Sequence, residues 1–154
     1  MPFIDTDLMI KCLQPKNTEI NKKARKVLSK LFETHSEVKT TVYNYAELLR
    51  GAYLSKRVAH NMSLITKFIA RFSIVFPSFE SIKEYSRISA NLQMKGEKIG
   101  DFDELIASIV VNEEEILYTR NISHFERVPL INLVNWTRKM ENIEPKNEQN
   151  TFLK

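Results

Sequence analysis

The chain has 154 residues, of which 43% are hydrophobic and 27% charged, with a formal charge of +4. That composition describes one soluble globular domain able to bury a substantial core, and no apolar run reaches the length of a membrane span. The single Cys12 excludes a disulfide framework within the chain, and three glycines exclude most glycine-rich phosphate loops.

The N-terminus carries an acid inside its first apolar segment and lacks the basic-then-apolar pattern of a signal peptide, so a cytoplasmic setting is expected. Met1-Pro2-Phe3-Ile4 reads as a short strand that runs straight into Asp5, with a helical pattern following at once. In open α/β sheets, ligands bind beyond the carboxyl ends of strands, so Asp5 is a candidate site residue. It is equally well placed to cap the next helix.

Leu8, Ile10 and Leu13 predict a short helix ending near Pro15, with Cys12 as a buried structural thiol. Thr18 to Thr34 predicts a long amphipathic helix, with Ala24, Val27, Leu28 and Leu31 at helical spacing and lysines on the other face. Val38 to Thr41 is β-prone, and Val42 to about Lys56 is helical again. A helix over roughly Ala59 to Phe72 precedes a short strand at Ser73–Phe76, stopped by Pro77. Phe79 to Lys95 predicts a helix with Gly96 as its C-terminal cap. Phe102 to Glu113 adds a helix, Glu115 to Thr119 a strand, and Ile131 to Val134 a last strand.

Strands alternating with helices predict an α/β domain over residues 1–137, its mostly parallel sheet flanked by helices in three layers. Residues 138–154 turn polar, as expected of a weakly ordered extension.

Three further segments place polar groups near strand ends. Glu47 interrupts an apolar helical stretch after the second strand. Asp101 and Glu104 have the spacing of a capping box, and Asp103 falls in the first turn of that helix, where the macrodipole favours a carboxylate. Asn121 sits in a polar turn after the strand ending at Thr119, with His124 beside Phe125. Carboxylates converging from separate strand ends are suited to hard divalent cations, which activate water and orient a phosphodiester.

In this order, Phe3-Ile4-Asp5-Thr6-Asp7, Tyr45-Ala46-Glu47-Leu48-Leu49-Arg50-Gly51, Ile99-Gly100-Asp101-Phe102-Asp103-Glu104-Leu105-Ile106-Ala107, Thr119-Arg120-Asn121-Ile122-Ser123-His124-Phe125 and Val134-Asn135-Trp136 resemble the PIN-domain ribonucleases, in particular VapC-like toxins of type II toxin–antitoxin pairs. The resemblance implies a PIN-like α/β/α fold and an Mg²⁺-dependent (or Mn²⁺-dependent) endoribonuclease. It assigns Asp5, Glu47 and Asp103 as the main acids and metal ligands, and Asn121 as a fourth catalytic residue at a place where many members carry an acid. Asp7, Thr119 and Arg50 are auxiliary candidates. His124 stands where an acid is frequent, so Asn121 and His124 both remove negative charge where a second metal would need it. The resemblance also implies an RNA substrate, a small antitoxin partner and a homodimer. The alternative is a PIN-fold regulator that binds nucleic acid or a partner with little nuclease activity. A more remote one is an aspartyl-phosphate phosphatase using Asp5 and Asp7.

Overall fold

In the computed structural model, residues 1–138 are described, and they form a five-stranded sheet between two layers of helices. The elements in chain order are β1 (Pro2–Ile4), α1 (Thr6–Leu13), α2 (Glu19–Thr34), β2 (Lys39–Thr41), α3 (Val42–Tyr53), α4 (Val58–Ile69), β3 (Ser73–Val75), α5 (Phe79–Lys95), α6 (Asp101–Asn112), β4 (Ile116–Thr119), α7 (Ile122–Phe125) and β5 (Asn132–Asn135). The strand order is β3-β2-β1-β4-β5, and every pairing is parallel.

The three layers follow from the two-residue period of a strand. Phe3 and Ile4 are adjacent and both fully buried, yet they enter different cores. Ile4 packs with Leu8, Val27, Leu28 and Trp136 in the core that holds the apolar faces of α1 to α4. Phe3 packs with Leu92, Ile106, Leu117 and Phe125 in the core that holds α5 and α6. Leu117 and Tyr118 divide between the cores in the same way on β4. Strands buried on both faces read as apolar runs, as expected for a parallel sheet.

Most helix boundaries have a local cause. Thr18 caps α2, Ser78 caps α5, and Gly96 ends α5 at φ 69°, where its missing side chain removes the left-handed penalty. Several expected boundaries shift by a few residues: α3 stops at Tyr53, α4 spans Val58–Ile69, and β5 reaches Asn135.

Two expectations are corrected. Asp101 is not the cap of α6: Gly100, at φ 108°, turns the chain one residue earlier and stands at the N-cap. Asp101 is then a solvent-facing first residue paired with Lys98 at 3.5 Å. Glu104 is fully buried, and its Oε1 accepts from the Ile99 backbone N–H at 3.5 Å, so no capping box with Asp101 forms. The expected polar turn after β4 is also shorter, because Ile122–Phe125 closes into the single helical turn α7. Phe125, fully buried, anchors that turn in the second core.

The polar extension expected at 138–154 lies, from residue 139 on, outside the described residues. No helix among the described residues is long and apolar enough to cross a membrane. Leu92, fully buried where α5 meets the second core, tests the packing. Replacing it with alanine should cost about 2–5 kcal/mol, read as a lower urea midpoint with an unchanged slope.

Candidate acidic active site

The strand order reverses at β1, whose neighbours β2 and β4 are reached by opposite turns of the chain. The crevice at the carboxyl end of such a reversal is the standard ligand position in open α/β sheets. Asp5 stands there, at the last position before α1. It caps α1, accepting from the Thr6 N–H at 2.8 Å on Oδ1, and it is the most enclosed acid of the site at 7% exposed.

Two more donors secure it. Asn44 Nδ2 reaches Oδ1 at 3.1 Å and the Thr119 hydroxyl donates to Oδ2 at 2.6 Å. Thr119, an auxiliary candidate, is delivered to this contact by the end of β4. Asn44 and Thr6 escaped the sequence reading. A usable signal was present: Thr41 and Asn44 have capping-box spacing, and the box forms at the start of α3. With its Oδ1 held by Thr41, the Asn44 amide is left to reach Asp5 and Thr6 Oγ1.

Glu47 follows one turn later on α3 and accepts from the Thr6 hydroxyl through Oε2. Asp103, in the first turn of α6, receives Asn121 Nδ2 at 3.4 Å and lies 3.2 Å from His124 Nδ1, both at Oδ2. The structure therefore brings Asp5, Glu47, Asp103 and Asn121 to one corner, with His124 in contact with Asp103.

The remaining candidates lie beside this group. Asp7 turns toward Arg120, pairing at 3.0 Å, while its other oxygen is buried without a hydrogen-bond partner among the described residues. Arg50 is exposed on α3, and its charge partly offsets the upward shift at Glu47. Cys12 is half-buried, and burial pushes its thiol up to about 12, which suits packing rather than nucleophilic chemistry.

Electrostatics mark the same three acids. Burial, joined by the charges of Asp103 and Glu47, raises the Asp5 carboxyl from 3.8 to about 6 against the pull of Thr119 and Thr6. Glu47 is raised by burial first and then by Asp103. Burial also raises Asp103, while its contact with His124 pulls the other way. Like charges held together out of water favour the protonated form, which is the condition an added cation relieves. Among the described residues, no three His, Cys, Asp or Glu side chains stand as a ready-made metal-ligand group.

A parallel α/β/α sheet of PIN-like form, with three acids at the carboxyl edge of its central strands, defines the class. No protein-family model matches the chain. Ribonuclease VapC2 of Rickettsia felis is 37% identical to it over 93 residues, covering 60% of this chain and 69% of the relative. The tRNA(fMet)-specific endonuclease VapC of Salmonella typhimurium is 29% identical over 90 residues, covering 58% of this chain and 68% of that one. Among solved structures, VapBC2 from Rickettsia felis bound to a promoter DNA fragment contains a chain that superposes with a TM-score of 0.78. That chain is 28% identical, with 88% of this chain and 98% of that one covered. The chain belongs to the VapC family of PIN-domain proteins.

The raised carboxyl of Asp5 has a consequence for stability. Its pKa in the folded protein exceeds the unfolded value, so the fold binds more protons between about pH 4 and 6, and this group's contribution falls as pH rises through that window. The shift corresponds to a penalty on the order of 3 kcal/mol once Asp5 is ionised. Asp5→Asn keeps an acceptor for Thr6 and Asn44, and the Thr119 hydroxyl can rotate to accept from the new amide. In chelator, this variant should therefore melt above wild type at about pH 8, with the gap closing toward about pH 4. A gap that widens on acidification would contradict the assignment.

Proposed function

We propose that this chain is a divalent-cation-dependent endoribonuclease and the toxin of a toxin–antitoxin pair. The observation that carries it is the convergence of Asp5, Glu47 and Asp103 from β1, α3 and α6 at the sheet's carboxyl edge. Membership of the VapC family supports the reaction class, since relatives bear the names ribonuclease and tRNA(fMet)-specific endonuclease.

The donor set is oxygen-rich, which fits a hard ion of the Mg²⁺ or Mn²⁺ type that keeps several waters and needs few carboxylates. Asp5 and Asp103 would hold the ion, with Glu47 as a further ligand or as the group orienting the attacking water. When bound, such an ion polarises the phosphodiester and makes water more acidic.

The chain's own residues do the positioning. Thr6, Asn44 and Thr119 fix the Asp5 carboxylate in place. Glu47 accepts from Thr6 through Oε2, so Oε1 is available to hold a water proton. Burial raises its proton affinity, which suits a group that takes that proton. Asn121 supplies a neutral hydrogen bond to Asp103. Arg50 and Arg120, exposed beside the acids, offer cations to a polyanionic RNA backbone. An RNA substrate agrees with the cytoplasmic setting proposed for this chain.

The solved VapBC2 of Rickettsia felis and VapBC of Salmonella typhimurium support an antitoxin partner, and this chain has a surface suited to one. A hollow of about 340 Å³ opens beside Glu47, lined by Ile10, Leu13, Leu48, Ala52 and Leu64. An antitoxin segment laid there would cover apolar surface and the acidic corner together. Homodimerisation is proposed on the family resemblance alone.

The phosphatase alternative loses its second residue, because Asp7 is committed to Arg120 while Glu47 joins Asp5 through Thr6. A binding-only regulator is kept apart by activity. Structured RNA should be cleaved with Mg²⁺ or Mn²⁺ and left intact in chelator. Loss of groups around a metal already costs about 10–100-fold, so Asp5→Asn and Asp103→Asn should each lower the rate by at least about 100-fold. Equal cleavage by wild type and both variants would sink the nuclease reading.

A further inference from the structure

Asp103 meets two N–H donors at the same oxygen. Asn121 Nδ2 lies 3.4 Å and His124 Nδ1 3.2 Å from Oδ2, the imidazole donating in the form that carries its proton on Nδ1. Oδ1 carries no protein hydrogen bond among the described residues. Both donors come from α7 and its N-cap, and α7 is pinned by the fully buried Phe125, so the corner is rigidly supplied with N–H groups.

The other two carboxylates are also partly taken. A carboxylate oxygen accepts about two hydrogen bonds or ligands. Asp5 Oδ1 already has Thr6 N–H and Asn44 Nδ2, and Oδ2 has the Thr119 hydroxyl. Glu47 Oε2 has the Thr6 hydroxyl. What stays open is one acceptor position on Asp5 Oδ2, the Oε1 side of Glu47 and the Oδ1 side of Asp103. That is enough for one cation that keeps several waters. A second ion about 3.5–4 Å away would need further open oxygens of its own. At Asp103, Oδ2 faces two N–H groups, whose positive ends oppose a second cation.

We propose that Asn121 and His124 restrict this site to a single divalent cation by occupying Oδ2 of Asp103, His124 acting as a positioning residue for that carboxylate. The inference rests on the cation-dependent reading of the same site.

Its test is a count of bound metal rather than activity. Protein stripped with chelator and dialysed is titrated with Mn²⁺, and binding is followed by calorimetry and by the electron paramagnetic resonance signal of free Mn²⁺. One Mn²⁺ per wild-type chain is expected, and two after Asn121→Asp with His124→Glu. Two per wild-type chain would overturn the proposal. A double variant that keeps the wild-type circular dichroism and still binds only one would overturn the assignment to these residues. Should the double variant not fold, His124→Glu alone carries the same two outcomes. A wild type that binds no Mn²⁺ overturns the cation-dependent reading itself, a result distinct from two.

Discussion

The structure depends on a carboxylate held almost out of water at the end of its central strand. An ionised group in that position is costly unless donors replace the lost solvent. At Asp5 the donors come from three parts of the chain: the start of α1, the start of α3 and the end of β4. Each is fixed for a reason of its own. Thr6 is the first residue of the helix that Asp5 caps, Asn44 is held by its capping box, and Thr119 closes the strand beside β1. Thr40, fully buried on β2, adds a hydroxyl bond to the Ile4 carbonyl just before Asp5. The junction that organises the sheet and the junction that organises the acids are therefore one network.

That coincidence explains the distribution of stabilising and destabilising groups. Both helical layers bury apolar side chains against a sheet that is closed on both faces, and this supplies the favourable term of folding. The carboxyl edge works against it, since Asp5, Glu47 and Asp103 all resist ionisation where they stand. Strain of this kind persists only when its surroundings over-determine it. Here the surroundings are β1 with its two neighbours and the caps of α1 and α3. The N–H donors of α7 and its N-cap moderate the same repulsion at Asp103 without adding a carboxylate.

Much of the fold was legible from pattern. Alternating apolar runs and amphipathic stretches placed every strand and six of the seven described helices, because burial on both faces of a strand and one face of a helix leaves a periodic trace. α7 was missed because a single turn is too short to show a period, and its one buried anchor, Phe125, looks like any aromatic in a loop. Asp101 was misplaced for the opposite reason. Its spacing to Glu104 satisfies a capping pattern, but the positive φ of Gly100 had already started the helix.

By itself the sequence determined the three-layer α/β arrangement, the Gly96 cap and the candidate acids Asp5, Glu47 and Asp103, since these follow from local periodicity and from motifs that survive in linear form. Which groups touch was decided only in three dimensions. Asn44 to Asp5, Thr119 to Asp5 and His124 to Asp103 join residues 39, 114 and 21 positions apart. No local rule relates such pairs. They meet because parallel strands bring their carboxyl ends to one edge, and because burial at that edge makes every unpaired donor or acceptor costly enough to find a partner.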